Sequence, residues 1–362
     1  MIRLRVSNDT IMQKIAQNQS IILNIFIKGE NYSSSEIHNE LLKKGSDISL
    51  ITVKRELTEL KDSGFLSIHG LGRSVVYSIS IKGRFFIDIN AHEYCIVEPD
   101  KRYGQRNYNH DLFNSISGDI FTDFEKKELE NATSVYKQNI KSISNTLEEK
   151  ELERFIIELS WKSSKIEGNT YTLLDTEKLI KEGIEAKGHN KFEAMMILNH
   201  KQAFKIIREN IDEFKIFKLS TIEEIHKILV KDLNVNFGLR EKAVGVTGST
   251  YRPLDNIHQI KEAIELLCVV INKISSPYEK AMIALLGLSY IQPFEDGNKR
   301  TSRLVANAIL LANGLAPLSY RSVDENEYKE AILVFYELNS ISPFKKIFIE
   351  QYIFSAENYS VK

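Results

Sequence analysis

A mainly α-helical protein with one small strand-bearing domain at its front is the fold class this sequence predicts, on three observations. Six prolines interrupt 362 residues rich in Leu, Ile, Glu and Lys, types that cost little in a helix interior. Apolar residues recur three and four apart along most of the chain, the period of a buried helix face. Alternation with period two is confined to residues 65–81 and the stretch around Gly248. The length suits about two domains with ample core. A content of 43% hydrophobic and 27% charged residues is that of a soluble globular chain. The net charge of −1 gives no general attraction to nucleic acid or membrane. No run approaches the roughly 18 apolar residues of a membrane span, and no signal peptide is read at the start. Cys95 and Cys268 lie far apart without CxxC or Cys/His spacing, as free thiols in a reducing cytoplasm do.

Taken in order, residues 13–29 place Ile15, Ile21, Ile22, Ile25 and Phe26 at helical spacing and stop at Gly29. Ser33 to Ser35 offer a cap for a helix carrying Ile37, Leu41 and Leu42. A third helix spans about 49–63 with Ile51, Leu57 and Leu60 inward, and two strands, 65–68 and 75–81, follow across Gly70 and Gly72. Three short helices and a hairpin over about residues 10–85 resemble a winged helix-turn-helix. That resemblance implies either DNA binding, with the third helix in the major groove and Arg73 on the wing, or protein contacts. Residues 1–84 hold 12 Lys and Arg against 8 Asp and Glu. In the third helix, however, Glu56, Glu59 and Asp62 offset Lys54, Arg55 and Lys61, so the phosphate-binding signal is weak.

Residues 1–85 are read as the first domain, 86–120 as a connection with turn signals around Gly104 and Asn107, and 121–358 as the second domain. Helices are expected over much of 121–168 and at 175–185, 192–210 and 221–230. His200 and His226 lie on them without a ligand partner at helical spacing and read as structural. Around Gly248 small and β-branched residues alternate, which predicts a hairpin. Ser276-Pro277 opens the next helix, and helices at 326–338 and 343–355 close the chain.

The stretch from Gln292 to Arg303 carries the chemistry. Two apolar helical runs, 281–291 and 304–312, flank a turn that gathers Pro293, Phe294, Asp296, Gly297 and three cations. A helix starting after Gly297 leaves its first backbone N–H groups without partners and attracts anions. Lys299, Arg300 and Arg303 add positive charge, and Asp296 suits a Mg²⁺ ion bridging phosphate oxygens. The stretch therefore reads as a nucleotide-phosphate pocket.

The same residues resemble the Fic motif, His-Pro-Phe-x-(Asp/Glu)-Gly-Asn-(Gly/Lys)-Arg-x-x-Arg, at every specified position but the first, where Gln292 replaces the His. The resemblance covers about residues 120–355. It implies a helical Fic domain with a β-hairpin flap, and transfer of AMP from ATP to a hydroxyl of a target protein or of the chain itself. The implied roles are Asp296 for Mg²⁺ and Gly297, Asn298, Lys299, Arg300 and Arg303 for the nucleotide. The flap residues Val246, Thr247, Gly248, Ser249 and Tyr251 would hold an extended target segment by strand addition. Ser163-x-x-x-Glu167-Gly168 is similar to the family's inhibitory motif, on a helix at about 150–168. It implies that Glu167 pairs with Arg303 and blocks docking of the ATP γ-phosphate. Gln292 stands at the position of the general base, and an amide cannot take a proton. Slow transfer, hydrolytic removal of AMP with Glu167 orienting water, and a nucleotide-binding pseudoenzyme all stay open. So do a homodimer and a DNA-binding regulator whose Fic domain senses nucleotide.

Overall fold

The computed structural model describes residues 17–116 and 118–361; Ile15 of the first expected helix lies outside them. Helix α1 (Gln17–Leu23) runs into a 3₁₀ turn that Gly29 ends, and α2 (Ser34–Lys43) starts from a reciprocal cap between Ser33 and Glu36. The third helix, α3 (Leu50–Asp62), is capped by the Ser49 side chain. Strands β1 (Leu66–His69) and β2 (Val76–Ile79) pair antiparallel, with Leu66 opposite Ile79 and His69 opposite Val76. Their connection bends back at Gly70, where an added Cβ would lie 2.4 Å from the Ser74 carbonyl oxygen. Three helices and a two-stranded wing are therefore present.

One expected inward residue is not inward. Ile51 is 83% exposed, while Val53, Leu57 and Leu60 form the buried stripe of α3. Positions 53, 57 and 60 fall at i, i+4 and i+7 on one face, whereas 51 lies across the helix from 53.

Helices α4 (Ile81–Phe85) and α5 (Ala91–Ile96) follow, and neither was expected from the sequence. Residues 86–116 are packed: Tyr94 joins the N-terminal core, and Leu112 and Phe113 join the larger one. Val334 and Leu338, far along the chain, complete the N-terminal core.

The larger core is helical. Helices α6 (Asp123–Ser142), α7 (Asn145–Ile166), α8 (Leu173–Glu182), α9 (Lys191–Glu209) and α10 (Leu219–Leu229) lead to α11 (Ile257–Lys273), α12 (Pro277–Ile291), α13 (Asn298–Ala312), α14 (Glu325–Leu338) and α15 (Ser342–Asn358). Apolar on every side, α12 is buried on every side, and α13 packs against it. Gly287 lets α11 approach closely, since a Cβ there would come 2.6 Å from Leu267 Cδ1. The expected hairpin around Gly248 is not formed. Residues 244–251 are an open loop with one turn, and β1–β2 is the paired sheet among the described residues. The arm after Gly248 makes no ladder because it is tied elsewhere: Tyr251 goes into the core and the Arg252 N–H bonds the Arg106 carbonyl.

Candidate functional site

The α12–α13 loop is built to hold one shape. Gln292 ends α12 in the left-handed region (φ 51°), and Gly297 (φ 79°) caps α13. Asn298 braces the loop, its Oδ1 accepting the Phe294 N–H and its Nδ2 donating to the Phe294 carbonyl, both at 2.8 Å. Beneath it, the His226 ring stacks on Phe294 at 3.7 Å and its Nε2 bonds the Asp296 carbonyl at 3.0 Å. Burial lowers the His226 pKa to about 4, so the ring is neutral at physiological pH. His226 is thus structural, as its sequence context suggested, but it supports the site itself.

Arg240 is the residue that sequence reading passed over. It is 2% exposed, and its guanidinium donates to the carbonyls of Gln292 (2.6 Å), Lys242 (2.7 Å) and Leu254. It thereby fastens the loop to the segment after α10. A lone Arg after Phe-Gly-Leu carries no motif, so no local signal distinguishes it.

The first turn of α13 opens onto a polar cavity of about 230 Å³, lined on one side by Gln292 and residues 295–300 and on the other by Glu167 and residues 244–247. A second, more apolar cavity of about 420 Å³ adjoins it, sharing Glu167, Thr247 and Lys299 and continuing to Tyr328, Ile332, Leu333 and Tyr336. Each cation of the cluster faces a carboxylate, and Glu167 is shared by two of them. Arg300 Nη2 lies 3.0 Å from Asp296 Oδ2. Arg303, fully buried, lies 2.8 Å from Glu167 Oε1, and Lys299 lies 3.6 Å from Glu167 Oε2. Ser163 completes the Arg303 shell: its Oγ accepts from Nε at 2.9 Å and its carbonyl from Nη2 at 2.8 Å. Burial works against the Glu167 charge, but Arg303 and Lys299 outweigh it and hold the carboxyl below its ordinary range. Ser163 and Glu167, on the last turn of α7, therefore reach Arg303 across the domain, and the sequence-predicted cluster assembles.

Other expected residues stand elsewhere. Tyr251 is 2% exposed, its hydroxyl bonding the Tyr290 carbonyl at 2.9 Å, so it is a core residue and not a free flap contact. Ser249 turns its hydroxyl away from the cavities to Glu337, at 2.5 Å. The Asn298 side chain is spent on the loop, leaving its backbone N–H at the helix start. Gln292 folds its amide back, Nε2 donating to the Ser289 carbonyl at 2.5 Å and lying 3.3 Å from the Tyr336 hydroxyl. Among the described residues no group of three His, Cys, Asp or Glu could hold a metal alone. Asp296, 64% exposed beside the cavity, fits an ion held largely by a ligand's own phosphates, the habit of Mg²⁺.

Fold and site together define a helical domain in which two buried helices present a helix start carrying Lys299, Arg300 and Arg303 beside a polar cavity. A Fic/DOC family model matches residues 216–310, and a ferric uptake regulator family model matches residues 12–87. Over 172 residues the chain is 30% identical to the protein adenylyltransferase Fic of Nematostella vectensis, covering 46% of this chain and 40% of that protein. Over 184 residues it is 25% identical to the protein adenylyltransferase fic-1 of Caenorhabditis elegans, covering 49% and 36%. The chain thus spans well under half the length of these relatives. Among solved structures, Fic-1 (residues 134–508) of C. elegans superposes with a TM-score of 0.55 at 20% identity, covering 65% of this chain and 71% of that one. A Fic domain containing signaling protein of Bacteroides thetaiotaomicron superposes at 0.53 and 21%, covering 63% and 94%. The chain is a Fic-domain protein with a winged helix at its N-terminal side.

Proposed function

We propose that this protein binds ATP with Mg²⁺ and transfers AMP to a hydroxyl of a target protein, under inhibition by Glu167 and at a rate reduced by Gln292. The observation that carries the reading is the ion pair of Arg303 with Glu167 beside a cavity lined by Lys299 and Arg300. In this reading the polar cavity takes the phosphates and the apolar neighbour takes the base and ribose. Arg303 is the cation a γ-phosphate needs, and Glu167 occupies and repels that position. Asp296 would hold Mg²⁺, which when bound neutralises charge between phosphate oxygens. The N–H groups at the start of α13 with Lys299 and Arg300 then orient the α-phosphate and stabilise its developing charge. The Gln292 amide cannot accept the target's proton, and a missing general base costs roughly 10²- to 10⁴-fold. The test is incubation of the full chain and its Glu167→Gly variant with α-labelled ATP and candidate proteins. The variant should bind ATP at least tenfold more tightly by calorimetry, as removal of a competing charge worth about 1.4 kcal/mol would give, and should transfer label. No label transfer from the variant would sink the reading.

A second reading, a DNA-binding regulator that senses nucleotide, is favoured by the ferric uptake regulator match over the winged helix. Lys54 and the wing residue Arg73 are exposed. Arg55, however, is held by Glu56 at 2.8 Å, which fits few phosphate contacts. Binding to DNA fragments should then be steeply salt-dependent; none at low salt counts against this reading. A cytoplasmic location and a homodimer belong to the proposal, and no helix among the described residues is long and apolar enough to cross a membrane.

A further inference from the structure

Glu337, near the end of α14, gathers contacts from parts of the chain that sequence keeps far apart. Its Oε1 accepts from the Ser249 hydroxyl at 2.5 Å and from Arg102 Nη1 at 3.1 Å. Its Oε2 lies 2.6 Å from the Tyr94 hydroxyl, and its carbonyl accepts the Gln105 N–H at 2.6 Å. The Arg102 and Glu337 side chains are 5% and 3% exposed. Arg102 Nη1 also donates to the Gly248 carbonyl at 3.0 Å, while Nε and Nη2 donate to the carbonyls of Val97 (2.7 Å) and Cys95 (3.3 Å). One guanidinium therefore joins the end of α5 to the turn of the loop. A buried pair of this kind holds its geometry when its remaining donors and acceptors are satisfied, and here these contacts use four of the five guanidinium N–H groups.

We infer that Arg102 and Glu337 are positioning residues that set the 244–252 loop from the N-terminal side of the molecule. Thr247 and Gly248 of that loop line the apolar cavity, and Val244 to Thr247 line the polar one, so the anchor fixes the wall common to both. Helix α14 supplies a second link: Ile332, Leu333 and Tyr336 line the apolar cavity while Val334 and Leu338 enter the N-terminal core. A ligand that favours one loop position therefore also favours one arrangement of α5, and the linkage is reciprocal. The link to nucleotide rests on the proposed function; the anchoring of the loop does not.

Hydrogen exchange of the full chain tests it. Arg102→Ala and Ser249→Ala should each speed exchange in 244–252 by roughly tenfold or more, the size of one lost hydrogen bond to a charged group. Exchange in 298–312 should be unchanged. Arg102→Ala should also loosen 91–103, and Ser249→Ala should not. The double variant should loosen the loop by less than the two effects combined, because both act through Glu337. ATP added to a Glu167→Gly chain should slow exchange in 91–103, and should lose that effect when Arg102 is also Ala. Unchanged exchange in 244–252 in both single variants overturns the inference, and so does an equal rise in 298–312, which marks general loosening. If calorimetry shows no ATP uptake, the functional reading fails, while the loop result without nucleotide still decides the anchor.

Discussion

At residue 292 the chain keeps a side chain that is polar but not basic. Its amide is folded onto Ser289 and Tyr336, so its local role is to close the end of α12. In a Glu167→Gly background, Gln292→His should raise the initial rate of AMP transfer by roughly 10²-fold or more. ATP affinity should stay within about twofold, since the cations that would bind phosphate are untouched. Equal rates for the two chains would show that no proton acceptor was missing. Residue 226 makes a different prediction. Its pKa is lowered from 6.5 to about 4, so the folded state disfavours the protonated ring. Stability from this group is complete above the unfolded value, falls as pH drops from about 6.5 toward 4, and levels off below that. The loss integrates to at most about 3 kcal/mol. Denaturant unfolding of wild type and His226→Gln across this range should show a shallower decline for the variant. Glu167 has the opposite chemistry and the same sign. Its depressed carboxyl keeps the Arg303 contact at every pH above the ordinary glutamate value, so mild acid does not break that ion pair.

Between elements, what could be read from the sequence follows from where the determining contacts lie. Helices α12 and α13 were legible because their own residues are apolar at the right spacing, and the loop between them because its charges cluster within twelve positions. Glu167 was legible only through the likeness of Ser163-x-x-x-Glu167-Gly168 to the Fic inhibitory motif, since a helix end alone fits a solvated glutamate as well. Helix α11 was missed although its signals are local: Asn256 caps it, and Ile260, Ile264, Leu267 and Ile271 are buried along it at helical spacing. The hairpin was wrongly expected because alternation signals an extended backbone, while pairing depends on partners, and here Tyr251 and Arg252 are claimed by Tyr290 and Arg106. Arg240 and Glu337 act on backbone carbonyls and residues far away, which no local pattern records. The α11–α12 contact gives a prediction at this scale. Gly287→Ala should destabilise the protein by about 1–3 kcal/mol through crowding against Leu267. Adding Leu267→Val should recover part of that loss. A Gly287→Ala chain as stable as wild type would show that Leu267 moves aside freely.

Across the whole molecule, the winged helix and the Fic domain share a core boundary. Val334 is fully buried and Leu338 is 3% exposed, and both pack with the N-terminal cluster, while Tyr328 and Tyr336 on the same helix belong to the larger core. The connecting residues add Tyr94 and Arg102 to this boundary, both bonded to Glu337. Neighbouring units that share a buried apolar helix unfold together when the interface is large compared with their separate stabilities. Calorimetry of the wild-type chain should therefore show one cooperative transition. Val334→Asp places an unpaired carboxylate in that interface, costs the contact several kcal/mol, and should split the transition in two, the N-terminal unit melting first. ATP should then raise only the second transition, by mass action on the domain that binds it. Two transitions in the wild-type chain, or a single transition retained in Val334→Asp, would mean that this α14 contact does not join the two domains.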